Sequence, residues 1–513
     1  MKSSEPAQAP AATEPSQLDR LYRPSLALLT DLYQLTMAYA YWHAGLRERE
    51  AVFHLYFRGQ PYRGGFSVAC GLDRVLDYLE RFGFDEEDLA YLARLPGADG
   101  RPLFAPGFLD ELRGLRLSVE VDALPEGTVV FPHEPLLRVK GPILQGQILE
   151  TALLSAINFE TLIATKAARM SLAARGEPIL EFGLRRAQGF DGALSASRAA
   201  YVGGCTATSN VLAGRLFGIP VRGTHAHSWV MAFDDEPAAF EAYARAMPNN
   251  TVLLVDTYDT LQGVQRAIET GRRLRERGHE LLGIRLDSGD LAYLSIEARR
   301  LLDEAGFTRT AIVASNELDE ATIDSLKQQE AAINIWGVGT RLVTGDGQGA
   351  LGGVYKLSAV RDPGGSWQHR LKLSEQVFKV STPGIQQVRR YTQGGEFVAD
   401  MIYEAELGVP AEGWMVDPTD LTRRRPIPAG ENWEDLLVPV FREGRVVGPR
   451  PALEAVRARV QQQLKSLHPG IKRFVNPHAY PVGLEERLFD LKTRLMLEAR
   501  GVARDTGETR TRP

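Results

Sequence analysis

An irregular parallel β/α barrel, joined to a discontinuous α+β domain built from both chain ends, is the fold class this sequence predicts. Three observations predict it. Between residues 145 and 350, short apolar runs alternate with amphipathic helical patterns. On either side of that span the apolar period shortens toward two, the period of antiparallel strands. Within the span, each apolar run ends in polar or glycine-rich residues, as parallel barrel strands do where they reach the mouth. At 513 residues the chain exceeds one ordinary core, so two or three domains are expected.

Composition narrows the class. A hydrophobic share of 44% and a charged share of 24% are those of a soluble globular protein. The formal net charge of −5 argues against a nucleic-acid binder and leaves room for a local basic pocket that takes anions. Two cysteines, Cys70 and Cys205, can form neither a disulfide framework nor a cysteine zinc site. They suit a reducing cytosol, so a cytoplasmic location is expected. No apolar run reaches the roughly 18 residues of a membrane span, and no signal-peptide core stands out, so neither membrane insertion nor secretion is expected.

Residues 1–20, rich in Ala, Pro, Ser and Glu, read as a disordered tail. Residues 21–144 read as the first part of the α+β domain. Ser25 to Gly45 has a helical apolar pattern, with Thr30 and Asp31 competing for the cap. On pattern alone Tyr33 is a core aromatic. Residues 51–57 alternate as a strand, and Leu72–Phe82 and Glu86–Leu95 are helical. Leu117–Val139 holds short strands about a Pro125-Glu126-Gly127 turn.

Residues 145–350 read as the barrel. Gln145 to Ala174 forms one or two long helices, on which Lys166 and Arg169 share a face. That face reads as solvated, with phosphate contact as the sharper alternative. The strand candidates are Ile179–Phe182, Ile219–Gly223, Val252–Val255, Leu281–Leu286, Ala311–Ala314 and Ile333–Val338. Runs this apolar suit a parallel sheet buried on both faces. After them come Arg185 and Arg186; Thr224 and His227; Asp256 and Asp259; Asp287 and Ser288; Ser315, Asn316 and Glu317; and Gly339 and Thr340. Arg285 falls within the fourth. Side chains gathered at one mouth in this mixture predict a pocket for an anionic, phosphorylated ligand with a divalent metal on oxygen ligands. Gly337, Gly339 and the later Gly352-Gly353 pair read together as a phosphate cradle.

The chain is organised around residues 219–233. Ile219 to Val221 reads as a buried strand that breaks at Gly223 into Thr224, His225, His227 and Ser228. His227 is the first candidate for chemistry. Residues 351–430 return to period two and to the α+β domain, with Lys356, Lys372, Lys379 and Arg389 among the strands. Those cations read equally as a solvated sheet face or as anion ligands. Residues 431–513 hold a hairpin at Val438–Val447 and two helices marked by Leu stripes, Leu453 to Leu467 and Leu484 to Leu495.

Five strings in this order resemble the nicotinate phosphoribosyltransferases. They are Leu-Leu-Thr-Asp-Leu-Tyr-Gln-Leu-Thr-Met (28–37), Glu-Phe-Gly-Leu-Arg-Arg-Ala-Gln-Gly (181–189), Gly-Thr-His-Ala-His-Ser-Trp-Val (223–230), Arg-Leu-Asp-Ser-Gly-Asp-Leu (285–291) and Leu-Gly-Gly-Val-Tyr-Lys-Leu (351–357). The resemblance spans roughly residues 25–500 and implies an ATP-dependent ligase of NAD salvage. Such an enzyme makes nicotinate mononucleotide and diphosphate from nicotinate and 5-phosphoribosyl 1-diphosphate, with Mg²⁺ and ATP. It also implies phosphorylation of His227, with His225 a bystander and Asp256 orienting His227.

By the same resemblance, Phe182 and Tyr33 stack the pyridine ring, Tyr33 coming from the second subunit of a homodimer. Arg285 and Thr224 lie at the nicotinate carboxylate. Ser209 stands where the nicotinamide enzymes carry an Asp, which leaves an acid unrepelled. Arg185 is implied at a phosphate or diphosphate, Gly339, Thr340, Gly352 and Gly353 at the phosphoribosyl phosphate, and Asp287 at ribose hydroxyls or Mg²⁺. Some archaeal relatives carry a cysteine zinc module, which two cysteines cannot supply. The alternatives are a nicotinamide or quinolinate enzyme of the same superfamily, and a barrel protein that binds without turnover.

Overall fold

The computed structural model describes residues 25–376, 379–418, 420, 422–428 and 432–502. The tail expected at 1–20 lies outside the described residues. A mixed α/β architecture is observed, with one parallel sheet and separate antiparallel and mixed sheets. Strands Ile179–Glu181, Ala207–Thr208, Val252–Leu254, Gly283–Leu286, Ala311–Ala314 and Ile335–Val338 form the parallel sheet. Their spatial order starts at Ala207–Thr208 and runs through 179–181, 335–338, 311–314 and 283–286 to 252–254. All five pairings are parallel, so the carboxyl ends of the strands share one edge. Helices Gly189–Gly203, Thr260–Glu276, Leu291–Glu304 and Glu320–Gln328 connect successive strands, and their apolar faces join the core around the sheet.

The stretch expected as the second strand is not one. Helix Val211–Phe217 ends at Gly218 with φ +71°, and Pro220 follows. Residues 220–222 then run along Ala207–Thr208 through Thr208 N–H to Pro220 O and Arg222 N–H to Thr208 O. A single parallel bridge joins Val221 to Thr208, and Val221 stays 40% exposed. Pro lacks a ladder donor, which confines this segment to an edge. Among the described residues the backbone ladder does not continue from this edge to Val252–Leu254. His225 spans the gap instead: its Nε2 accepts from Leu254 N–H at 3.2 Å. The apolar residues after Ser228 form helix His227–Met231.

A seven-stranded antiparallel sheet places Gly353–Arg361 beside Glu50–Phe57, so late and early segments of the chain share one sheet and one core. Strand Glu50–Phe57 is buried along nearly its whole length, because both faces of its sheet are covered. A third sheet, six-stranded and mixed, gathers residues 386–485. The hairpin at 438–446 and helix Leu453–Ser466 form as expected, whereas Leu484 belongs to strand Val482–Glu485 and the last helix starts at Glu486. A short strand at Gln368–His369 pairs with Gly353–Arg361.

The long helical region divides into Ile143–Ile148 and Glu150–Ala173. Lys166 and Arg169 do not face solvent. Both are buried and pair with Glu320 at 2.8 Å, tying the long helix to the helix after the fifth strand. A buried pair of cations needs a carboxylate, and Glu320 satisfies both. No helix is long and apolar enough to cross a membrane among the described residues.

Candidate active site

The carboxyl edge of the parallel sheet opens into a cavity of about 460 Å³. It is lined by Phe182, Arg185, Ser209, Thr224, Arg285, Asp287, Gly339 and Thr340, together with Arg186, Asn316 and Glu317. The parallel register brings these ends together, since Glu181 pairs with both Val338 and Thr208, and Ala314 with Leu286.

Phe182 leaves the first strand with its N–H bonded to Val338 O at 2.7 Å. Its ring lies on Gly337, where an added Cβ would come within 2.9 Å of ring carbons. Gly337 is therefore a packing requirement of the ring. On the neighbouring strand end, Ser209 N–H donates to Glu181 O at 2.8 Å, which sets Ser209 across the loop from Phe182.

Arg285 is the least exposed of the three arginines in the wall. Its Nη1 donates to Thr224 Oγ1 at 2.6 Å, and its Nε is buried with no partner. Burial holds its pKa below the usual guanidinium value, although Asp287 and Asp256 pull the other way. Arg185 and Arg186 at the same mouth have no ion-pair partner among the described residues.

His227 lies outside the cavity wall, one residue past the lining residue Ala226. Its Nδ1 lies 3.1 Å from Thr257 Oγ1, and its Nε2 faces Asp287 Oδ2 at 3.8 Å. Asp256 does not orient it. Asp256 Oδ2 accepts from Asp287 N–H at 2.8 Å and Ser288 Oγ at 2.7 Å, so it fixes the loop that presents Asp287. The group at Nδ1 is the hydroxyl of Thr257. A lone Thr between two Asp residues carries no signal in the sequence, and the carboxylates drew attention from it. The other carboxylate, Asp259, caps helix Thr260–Glu276.

His225 is no bystander to the fold. Between Leu254 N–H and Ala226 O, its ring is spoken for on both nitrogens, and burial pushes its pKa down to about 4. Asn316 adopts φ +133°, an unusual conformation for a non-glycine residue that clusters at functional sites. Thr340 donates to Glu317 Oε1 at 3.2 Å.

Three expected site residues lie elsewhere. Gly352 and Gly353 are not in the cavity wall. Gly353 pairs with Phe57 in the antiparallel sheet, and a Cβ there would meet Asn158 Oδ1 at 2.0 Å, so close packing on the long helix explains it. Tyr33 sits on helix Leu32–His43, 49% exposed and away from this cavity in its own chain. It is not a core aromatic.

Comparison with known proteins agrees with this arrangement. The description "Nicotinate phosphoribosyltransferase (NAPRTase) family" matches residues 178–361, its N-terminal domain 28–158 and its C-terminal domain 385–492. The nicotinate phosphoribosyltransferase of Bacillus subtilis (strain 168) is 42% identical over 486 residues, covering 92% of this chain and 97% of the relative. The chain belongs to the nicotinate phosphoribosyltransferase family. The enzyme of that name from Homo sapiens is 38% identical over 525 residues, covering 90% of this chain and 95% of its own. The crystal structure of human nicotinic acid phosphoribosyltransferase superposes with a TM-score of 0.80 at 35% identity, over 91% of this chain and 99% of that one. A nicotinate-nucleotide pyrophosphorylase from Pyrococcus furiosus, at 21% identity and TM-score 0.67, shares the fold. The cavity at the strand ends and the motifs at 181–189, 223–230 and 285–291 all fall within the matched span 178–361 of this nicotinate phosphoribosyltransferase family.

Proposed function

We propose that the chain joins nicotinate to the ribosyl carbon of 5-phosphoribosyl 1-diphosphate, releasing diphosphate, and that ATP hydrolysis through a phosphohistidine drives the step. The observation that carries the substrate assignment is Arg285, a half-buried guanidinium whose Nη1 is held by a neutral hydroxyl and whose buried Nε has no partner. Such a donor selects a carboxylate. Phe182 offers the ring face for the pyridine, and Ser209 leaves the acid unrepelled.

The pyridine nitrogen attacks C1 as the C1–O bond to diphosphate breaks. That nitrogen is already unprotonated, so no general base is required. Arg185, Gly339 and Thr340 serve the phosphate and diphosphate oxygens, while Asp287 faces the ribose.

His227 is the phosphoryl acceptor in this reading. With Nδ1–H donating to Thr257, Nε2 carries the lone pair on the side of Asp287. Its attack on the γ-phosphorus forms the N–P bond and releases ADP. Hard oxygen donors suit Mg²⁺, and the site has them: Asp256 Oδ1 is buried without a partner, and Asp287 lies beside it. Asp256 and Asp287 would hold the ion, which supplies charge neutralisation to the phosphate oxygens. The exposure of Tyr33 supports a homodimer in which Tyr33 of a second copy closes on the ring. Both cysteines are free and buried, in keeping with a cytoplasmic location.

The test measures diphosphate formation with nicotinate, nicotinamide and quinolinate, together with mass spectrometry after incubation with Mg-ATP. Nicotinate-dependent turnover and a phosphate on His227, absent from His227→Ala, are expected. Turnover confined to nicotinamide would refute the substrate assignment. An unmodified His227 alongside full ATP coupling would refute the phosphohistidine.

A further inference from the structure

Glu181 is the last residue of the first parallel strand, and its side chain is fully buried. Among the described residues it has no cationic partner. Three donors converge on its carboxylate instead. Oε1 accepts from Gly183 N–H, and Oε2 accepts from Ser197 Oγ at 2.9 Å and Thr208 Oγ1 at 2.6 Å. Each donor belongs to a different segment. Gly183 is in the loop that carries Phe182 and Arg185. Ser197 is on helix Gly189–Gly203, which that loop feeds. Thr208 ends the neighbouring strand, immediately before Ser209.

A second layer ties two of the three pieces, the strand end at Thr208 and the helix at Ser197. Asn210 N–H donates to Thr208 Oγ1 at 2.9 Å, and Asn210 Nδ2 donates to Ser197 Oγ at 3.2 Å. Gly183 has no room for a side chain, since a Cβ there would meet Val343 at 2.3 Å. The loop therefore has one seat, and the carboxylate holds it there.

Phe182 and Ser209 both line the cavity, each next to one of the two neighbouring strand ends that this knot joins. We infer that Glu181 is a positioning residue for the acceptor half of the pocket. It touches no reacting atom, and it sets the spacing between the ring face of Phe182 and the polar wall at Ser209, hence the fit of a planar acid. Glu181 lies directly under the Phe182–Ser209 wall, whereas Arg185 stands two residues beyond Gly183, and Gly339 and Thr340 follow its strand partner Val338. Its loss should therefore fall first on the aromatic acid and more weakly on the phosphoribosyl donor.

The inference rests on the reaction proposed above, and the experiment separates the two. Steady-state kinetics of the full chain are measured with nicotinate and phosphoribosyl diphosphate varied in turn, for wild type, Glu181→Gln and Thr208→Val. Glu181→Gln keeps the shape and turns one acceptor into a donor that faces donors. Thr208→Val removes one of the three hydrogen bonds together with the acceptor of Asn210 N–H and keeps the volume, so it reports even where the first variant fails to fold.

A rise of about ten-fold in KM for nicotinate is expected for Glu181→Gln, and a smaller rise for Thr208→Val. For both, KM for phosphoribosyl diphosphate should stay within about two-fold, and discrimination against nicotinamide should narrow. A purely structural role would lower the melting temperature and scale kcat through the active fraction, with both KM values unmoved. That result, or equal rises in both KM values, would overturn the inference. A wild-type protein that makes no diphosphate from nicotinate would instead overturn the proposed reaction.

Discussion

Replacing His225 tests whether a side chain stands in for a missing ladder bond between the segment after Val221 and strand Val252–Leu254. Leu254 is fully buried, so its N–H has no recourse to water once the imidazole acceptor is gone. An unsatisfied buried donor costs about 1–3 kcal/mol. The ring also packs edge-on to Tyr243, with centroids 4.7 Å apart, a contact worth roughly 0.5–1.5 kcal/mol. His225→Ala should therefore destabilise this region by about 2–4 kcal/mol. His225→Phe keeps the ring and loses only the acceptor term, whereas the carbonyl of His225→Gln can reach the position of Nε2 and should recover most of it.

The assay is amide hydrogen exchange of peptides covering 250–257, read beside the melting temperature. Protection at Leu254 should fall in the Ala and Phe variants and persist in Gln. The acid side carries a second signature. Burial holds the pKa of His225 at about 4, below its ordinary value of 6.5. Between those values the unfolded chain binds a proton that the folded chain does not. The contribution of this site is therefore full above about pH 6.5 and is lost as pH falls toward about 4. His225→Gln should flatten the stability profile across that window. Full protection of Leu254 in His225→Phe would refute the strap.

Two further perturbations probe charges held in contrasting ways. Arg285→Lys loses the fork that reaches Thr224 and the partnerless Nε, so KM for nicotinate should rise roughly 10- to 100-fold, the size of one charge-assisted hydrogen bond; an unchanged KM in steady-state assays would remove Arg285 from the acid site. Arg198→Ala strips the shared partner from Glu126 and Glu160, which it reaches at 2.6–2.9 Å, and leaves two buried carboxylates; a loss of about 3–5 kcal/mol is expected in thermal melts, with KM values unaltered in whatever fraction folds.

The central sheet was legible because its strands are apolar on both faces and its helices carry one apolar stripe. Ala311–Ala314 was read to the residue. The failure at Ile219–Gly223 is instructive. Three apolar residues suggested burial, yet Pro220 cannot join a ladder on both sides, and the true strand is the two-residue Ala207–Thr208, too short to show a period. At the site, Arg285 and Thr224 were legible at the ends of apolar runs, whereas Phe182 and Ser209 entered only through the family resemblance. Asp256 and Thr257 were transposed in role because adjacent residues on a loop point different ways, and only the fold decides which one meets His227. Gly352 and Gly353 fall outside the cavity wall for different local reasons: Gly353 packs closely on Asn158, whereas Gly352 has open space around it and a φ of +75°.

What distinguishes the strand-end cavity from the rest of the interior is how its charges are held. Away from it, the large buried charge clusters neutralise themselves: Arg390 with Asp400, Arg198 with Glu126 and Glu160, Lys166 and Arg169 with Glu320. Within it the holders are hydroxyls. Thr224 holds Arg285, Thr257 meets His227, Ser315 binds Asp287, Ser288 binds Asp256, and Ser197 and Thr208 seat Glu181. A hydroxyl fixes geometry without cancelling charge, whereas an ion pair does both. Groups so held are preorganised yet electrostatically unspent, which is what a site must offer when the substrate's own charges and the charge developing at C1 are the ones to be met. The same choice explains why the chemistry was easier to read from the sequence than its supports: Arg, His and Asp stand out in a strand-end loop, while the Ser and Thr residues that aim them are among the commonest in any loop.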